Sequence, residues 1–176
     1  DHAPDDVRRD GRALLAHHTP INLLRGLRVG ELKERELSWL DSSRPADLSS
    51  DGKTLLLEEQ GEGAGTHPVI YLRGTDGSPA VRLGEGFGIA LSPDGKWVLA
   101  STLPVRGGTS SLVLLPTGAG QTKTLEHGFS DVRGGAWFPA GRRILLTAST
   151  ANEASRIYGL SLPHAHTRRT CPQDVA

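Results

Sequence analysis

The 176 residues predict an all-β fold of repeated antiparallel meanders, and three observations carry that prediction. One is a strand–turn–strand phrase, Gly88-Ile89-Ala90-Leu91-Ser92-Pro93-Asp94-Gly95-Lys96-Trp97-Val98-Leu99-Ala100, which recurs around Asp10-Gly11, around Asp51-Gly52 and, with Ala140 in place of the aspartate, at Gly141. Another is the spacing: from Asp10 to Asp51 to Asp94 to Ala140 the steps are 41, 43 and 46 residues. A period of about 40–50 residues around such a core is that of a propeller blade. The third is composition, since 22 glycines and 11 prolines suit a fold with many tight turns better than a helical one. The predicted architecture is a β-propeller of about four blades, each a four-stranded meander, forming one domain or an arc of a larger ring.

The turns come first because everything else is registered on them. Asp-Gly between two apolar runs is a hairpin signal: glycine accepts positive φ and the aspartate side chain bonds its own turn backbone. Asp10, Gly11, Asp51, Gly52, Asp94, Gly95 and Gly141 are therefore the candidate structural turn residues. The basic residue after each glycine (Arg12, Lys53, Lys96, Arg142) reads as a solvated charge at the wet end of the next strand.

Blade boundaries follow at about 4–43, 44–87, 88–134 and 135–176. In the first, a hairpin around Val7 and residues 13–16 precedes strands expected at 21–29 and 37–39; residues 31–37 are good helix formers, also compatible with a short amphipathic helix, but the repeat places a strand there. The second blade has strands around Leu48 and at 54–58, 69–73 and 80–83, with a long glycine-rich loop at 60–68. The third has 89–91, 97–101, 111–115 and 122–125; the fourth has 136–138, 143–148 and 156–162, with the tail 166–171 as its outermost strand. A blade cannot bury both faces alone, so apolar positions meet between blades. Leu48, Leu91, Trp97, Trp137 and Phe138 are the candidate inter-blade core, together with the apolar second strands.

Composition and motifs narrow the function. Twenty Lys plus Arg balance twenty Asp plus Glu, so no global field recruits nucleic acid, and the basic residues lack the interleaved aromatics of a single-strand platform. No apolar run approaches the roughly 18 residues of a membrane span. The single Cys171 excludes an internal disulfide framework. There is no methionine, even at position 1, which reads as a piece of a longer product. Gly52-Lys53-Thr54 ends like a phosphate-binding loop, but Asp47 stands where its first glycine belongs and a strand follows. The runs Gly61-Glu62-Gly63-Ala64-Gly65 and Gly84-Glu85-Gly86-Phe87-Gly88 read as flexible connectors. His164 and His166 lack partners at the spacing of a closed zinc site, no Gly-x-Ser-x-Gly elbow occurs, and kinase motifs are absent. No catalytic, cofactor-binding or metal-binding residue is therefore predicted.

Leu91-Ser92-Pro93-Asp94-Gly95-Lys96-Trp97-Val98-Leu99 resembles the core of the TolB-like (WD-repeat-like) β-propeller repeat. Leu48-Ser49-Ser50-Asp51-Gly52-Lys53 matches with Ser50 in place of proline; Asp10-Gly11-Arg12 and Phe138-Pro139-Ala140-Gly141-Arg142 match less fully. The run from Arg82 to Gly86 is most similar to repeats in propeller regions attached to bacterial serine/threonine kinases or regulators. The resemblance implies a non-catalytic scaffold or sensor that binds a protein, peptide or small ligand, and work outside the cytoplasm. Its alternative implication is the accessory or gating propeller of a peptidase or other hydrolase whose catalytic domain lies outside this chain. Four blades are few for such repeats, so the resemblance also implies a larger ring, completed by further chain or by a homodimer, with closure as a small four-bladed ring as the alternative.

Overall fold

The computed structural model describes residues 21–27, 29–104 and 109–162 with their side chains, and the backbone of three further strands, Pro4–Val7, Ala13–Leu15 and His166–Arg169. Asp10 and Gly11 lie outside the described residues, as do residues 105–108 of the loop after the third blade's second strand.

Three complete four-stranded antiparallel meanders dominate. The first is β5 (Ser43–Leu48), β6 (Thr54–Glu59), β7 (Val69–Gly74) and β8 (Val81–Glu85). The second is β9 (Phe87–Leu91), β10 (Trp97–Ser101), β11 (Leu112–Pro116) and β12 (Lys123–Leu125). The third is β13 (Asp131–Trp137), β14 (Arg143–Thr150), β15 (Glu153–Ser161) and β16 (His166–Arg169). Ahead of them, β1 (Pro4–Val7) pairs with β2 (Ala13–Leu15), and β3 (Arg25–Gly26) with β4 (Arg35–Glu36), as two-stranded ribbons.

Burial explains the stacking. The second and third strands of the first two meanders are largely buried on both faces, as a sheet sandwiched between neighbours requires, whereas β14 buries Ile144, Leu146 and Ala148 on one face. Leu56, Ile70, Leu91, Val98 and Leu115 form the layer between the first and second meanders; Leu99, Leu114, Ile144, Leu146 and Leu160 form that between the second and third. On the outer face of the first meander, Leu55 and Leu57 are covered by Leu24, Leu37 and Trp39. That segment is tied down by polar contacts: Arg73 donates to the Ser38 carbonyl and lies 5.6 Å from the Trp39 ring centre. The fully buried Glu59 accepts from the Leu40 amide at 3.1 Å and from the Ser43 hydroxyl, leaving its other oxygen without a hydrogen-bond partner. Among the described residues, no core cluster joins the third meander back to the first segment.

The structure departs from the sequence expectations in three places. The strands expected at 21–29 and 37–39 give way to the two-residue β3 and β4, the latter within 31–37, where the repeat places a strand rather than a helix; Leu23, Leu27, Val29 and Leu32 are exposed, so no apolar stripe anchors a longer element. The run 84–88 is no flexible connector: Gly84 and Glu85 end β8, Phe87 and Gly88 open β9, and only Gly86, at φ 123, turns the chain. A Cβ there would stand 2.4 Å from the Ser101 carbonyl oxygen, which is why glycine occupies it. Finally, β13 starts at Asp131 rather than at 136, because the low-propensity residues Gly134 and Gly135 are held by pairing with Thr147 and Leu146 of β14.

Candidate functional site

The innermost strands β5, β9 and β13 lie side by side, with β9 touching both others. Each pairs with its second strand through an irregularity: Ala46, Ile89 and Arg133 are the extra residues left out of the ladder. A bulge bends its strand and re-aims a side chain. Here all three bulged residues line one groove of about 510 Å³, with Glu58, Phe87, Ser101 and Gly135 among its walls. Gly135 belongs there sterically, since a Cβ would meet the Leu145 carbonyl oxygen at 2.7 Å.

The groove carries both signs of charge. Arg133 donates from Nε to Asp131 Oδ2 at 3.0 Å, and both side chains remain exposed. Burial pushes the Glu58 carboxyl above its ordinary range, against the Gln60 amide at 3.1 Å, the Gly88 N–H and the charge of Arg44. This arrangement positions a cation, a desolvated carboxyl and exposed backbone along one concave strip. It holds no nucleophile–base pair, and among the described residues no three His, Cys, Asp or Glu gather to hold a metal.

The turn residues occupy the opposite ends of the inner strands. Around Asp51, the Ser49 hydroxyl donates to Asp51 Oδ1 at 2.7 Å and accepts from Thr54 N at 2.8 Å, while Lys53 N donates to Asp51 Oδ1 at 3.0 Å. Around Asp94 the same three bonds recur through Ser92, Lys96 and Trp97, at 2.6, 3.1 and 2.9 Å. Gly52, Gly95 and Gly141 share φ near 68–69. The threonine directly after each third strand closes the motif, Thr75 on the Gly52 carbonyl and Thr117 on the Gly95 carbonyl, both at 2.8 Å. Both aspartates sit below their usual carboxyl range, chiefly through the serine hydroxyl and then the lysine amide. The serine and threonine roles were not drawn from the sequence; Ser-x-Asp-Gly-Lys, shared by the second and third copies, was their signal.

Of the candidate core residues, Leu91 is buried between the first and second meanders, and Trp97 and Trp137 pack on the layer between the second and third. Trp137 also reaches back, Nε1 donating to the Ala90 carbonyl at 3.3 Å. One blade earlier, Asp47 makes the equivalent link by accepting from Leu91 N at 2.7 Å. Phe138 lies under the Arg143 guanidinium, 4.8 Å from ring centre to Cζ. Leu48 stands apart, 51% exposed, in a cleft of about 940 Å³ opposite Leu24 and Leu37, because the neighbouring ribbon is too short to cover it.

Solved structures share this architecture. TolB from Acinetobacter baumannii superposes with a TM-score of 0.65 at 20% identity, over 85% of this chain and 37% of its own. A TolB-designated protein from Agrobacterium tumefaciens gives 0.69 at 20% identity, over 96% of this chain and 60% of its own. The fold is a TolB-like β-propeller. The propeller domain of the trilobed protease from Pyrococcus furiosus aligns as well, with a TM-score of 0.55 at 13% identity over 72% of this chain and 41% of that one. This propeller segment thus spans between about a third and three fifths of these three proteins. No protein-family model and no curated protein sequence matches the chain.

Proposed function

We propose that this propeller segment belongs to a larger bacterial protein and serves as a non-catalytic scaffold or sensor, binding a protein or peptide along its inner strands. The observation that carries the reading is the convergence of the three bulged residues Ala46, Ile89 and Arg133 on one groove. Bulges placed beside a concave site re-aim side chains toward it, and rigid strands supply the precision that a recognition surface needs. A photoreactive benzoylphenylalanine placed at Phe87 or at Arg133 of the full-length protein in its native cells tests this. The expected result is one and the same crosslinked partner from both positions, identified by mass spectrometry, and none from Gly118, where an added side chain meets open space. Unrelated adducts from the two groove positions overturn the reading.

A second reading has its own support in the likeness to the trilobed protease propeller: the segment gates or supports a hydrolase domain elsewhere on its polypeptide. A Gly-x-Ser-x-Gly elbow in the remainder of the open reading frame would favour it. Partnering with a second copy of the chain, to complete a larger ring, belongs to the same proposal and is tested by mass in solution below.

A further inference from the structure

Away from the inner-strand groove, a cleft of about 670 Å³ opens between the second and third meanders, at the end where the turns of β9–β10 and β13–β14 lie. Its walls are apolar: Trp97, Trp137 and Leu162 are only partly buried, over a floor that includes the buried Leu125. Its rim is cationic. Lys123 Nζ lies 4.3 Å from the Trp97 ring centre, and Arg142 is exposed on the facing turn. No carboxylate of the described residues forms an ion pair with either. The rim's own carboxylate, Asp94, is occupied by the Ser92 hydroxyl at 2.6 Å and the Lys96 amide at 3.1 Å.

The fourth copy of the repeat adds an independent observation. At the two positions where the second and third copies carry the serine and aspartate of the capped turn, it carries Phe138 and Ala140. The loss of that aspartate removes the carboxylate that would otherwise stand two residues from Arg142 on the rim of this cleft. The same copy puts Trp137 where the third has the buried Leu91, enlarging the apolar wall.

We infer that this cleft docks a short acidic peptide segment of a partner protein, an apolar side chain entering against Trp137 and Leu125 and flanking carboxylates meeting Lys123 and Arg142. The charge complementarity selects acidic over basic partners, and the half-buried tryptophan supplies the kind of anchor pocket that concentrates binding energy. The site is separate from the inner-strand groove and stands or falls without it.

The test uses fluorescence anisotropy with two labelled octapeptides, one alternating Glu and Leu, the other Lys and Leu. The Glu–Leu peptide is expected to bind more tightly, with an affinity that falls as salt is added. Lys123→Glu with Arg142→Glu is expected to weaken it by about tenfold or more, as truncated charge complementarity does. Both residues are exposed, so an unchanged melting temperature verifies that the double variant is folded. Arg133→Glu, in the other groove, is expected to leave the affinity within about twofold, as distant independent sites do. Absence of binding, equal binding of the Lys–Leu peptide, or an affinity indifferent to the double variant overturns the inference. Loss of binding in Arg133→Glu alone also overturns it, while placing the peptide on the inner strands.

Discussion

At Ser92 one hydroxyl serves both limbs of a hairpin, donating to Asp94 and accepting from the amide of Trp97. Ser92→Ala leaves the part-buried Trp97 amide short of its partner and takes one of two donors from Asp94 Oδ1, a change expected to cost about 1–2 kcal/mol and to lower the melting temperature. The aspartates add a pH dependence. Because Asp51 and Asp94 are held below their ordinary value in the folded chain, the unfolded chain takes up protons first as pH falls. Their contribution is therefore present above about pH 4 and is lost as pH drops through the depressed folded value. Melting temperatures followed through the acid range should decline less steeply in an Asp51→Asn, Asp94→Asn double variant than in the parent. His127 adds a second pH dependence. Burial holds it below its ordinary value while the amides of Leu112 and Phe129 approach its two ring nitrogens at 3.2 Å, so only the neutral ring accepts from either. Protonation favours the unfolded chain, and stability should fall as pH decreases from about 6.5 toward the lower folded value. His127→Gln should remove that segment of the pH–stability curve; an unaltered curve would refute the assignment.

Among the elements, the inner strands depend most on backbone geometry. Gly86→Ala places a methyl group against the Ser101 carbonyl at positive φ, and a loss of about 2–4 kcal/mol is expected in urea unfolding. Leu146, fully buried on β14 between two meanders, gives a comparison of different origin: Leu146→Ala should cost about 2–5 kcal/mol through the cavity it leaves. The hairpins were legible in the sequence because Asp-Gly and apolar alternation are local signals, and β6, β7, β10 and β14 begin within a residue of their expected positions. The bulges at Ala46, Ile89 and Arg133 were not, because an extra residue in one strand is defined only against its partner's register. Gly86 was read as part of a connector for the same reason: its role is set by Ser101, on another strand.

For the whole molecule, ring closure is the feature with consequences in solution. Among the described residues, Leu27, Val29 and Leu48 are exposed beside the first meander, and Ile157 of the last is half-exposed. Propellers protect their edges by closure, and an arc leaves that task to another surface. The isolated chain of 18.7 kDa is expected to self-associate, so that light scattering after gel filtration gives a mass above the monomer that rises or holds with concentration. A monomer mass at every concentration would argue against pairing with a second copy and would turn attention to further blades on the same polypeptide.

The repeat, its period and its hairpin turns were determined by the sequence alone, since each rests on residues close along the chain: glycine at positive φ, aspartate bonding its own turn, apolar runs of strand length. From these came the all-β meander and the propeller architecture. Tertiary structure alone decided which residues share a groove. Arg133 and Glu58 line one groove because bulged inner strands converge, and Lys123 and Arg142 line one cleft because two meanders stack with Trp97 and Trp137 between them. Such proximities come from register and sheet packing, which join residues distant in sequence and leave no local signature.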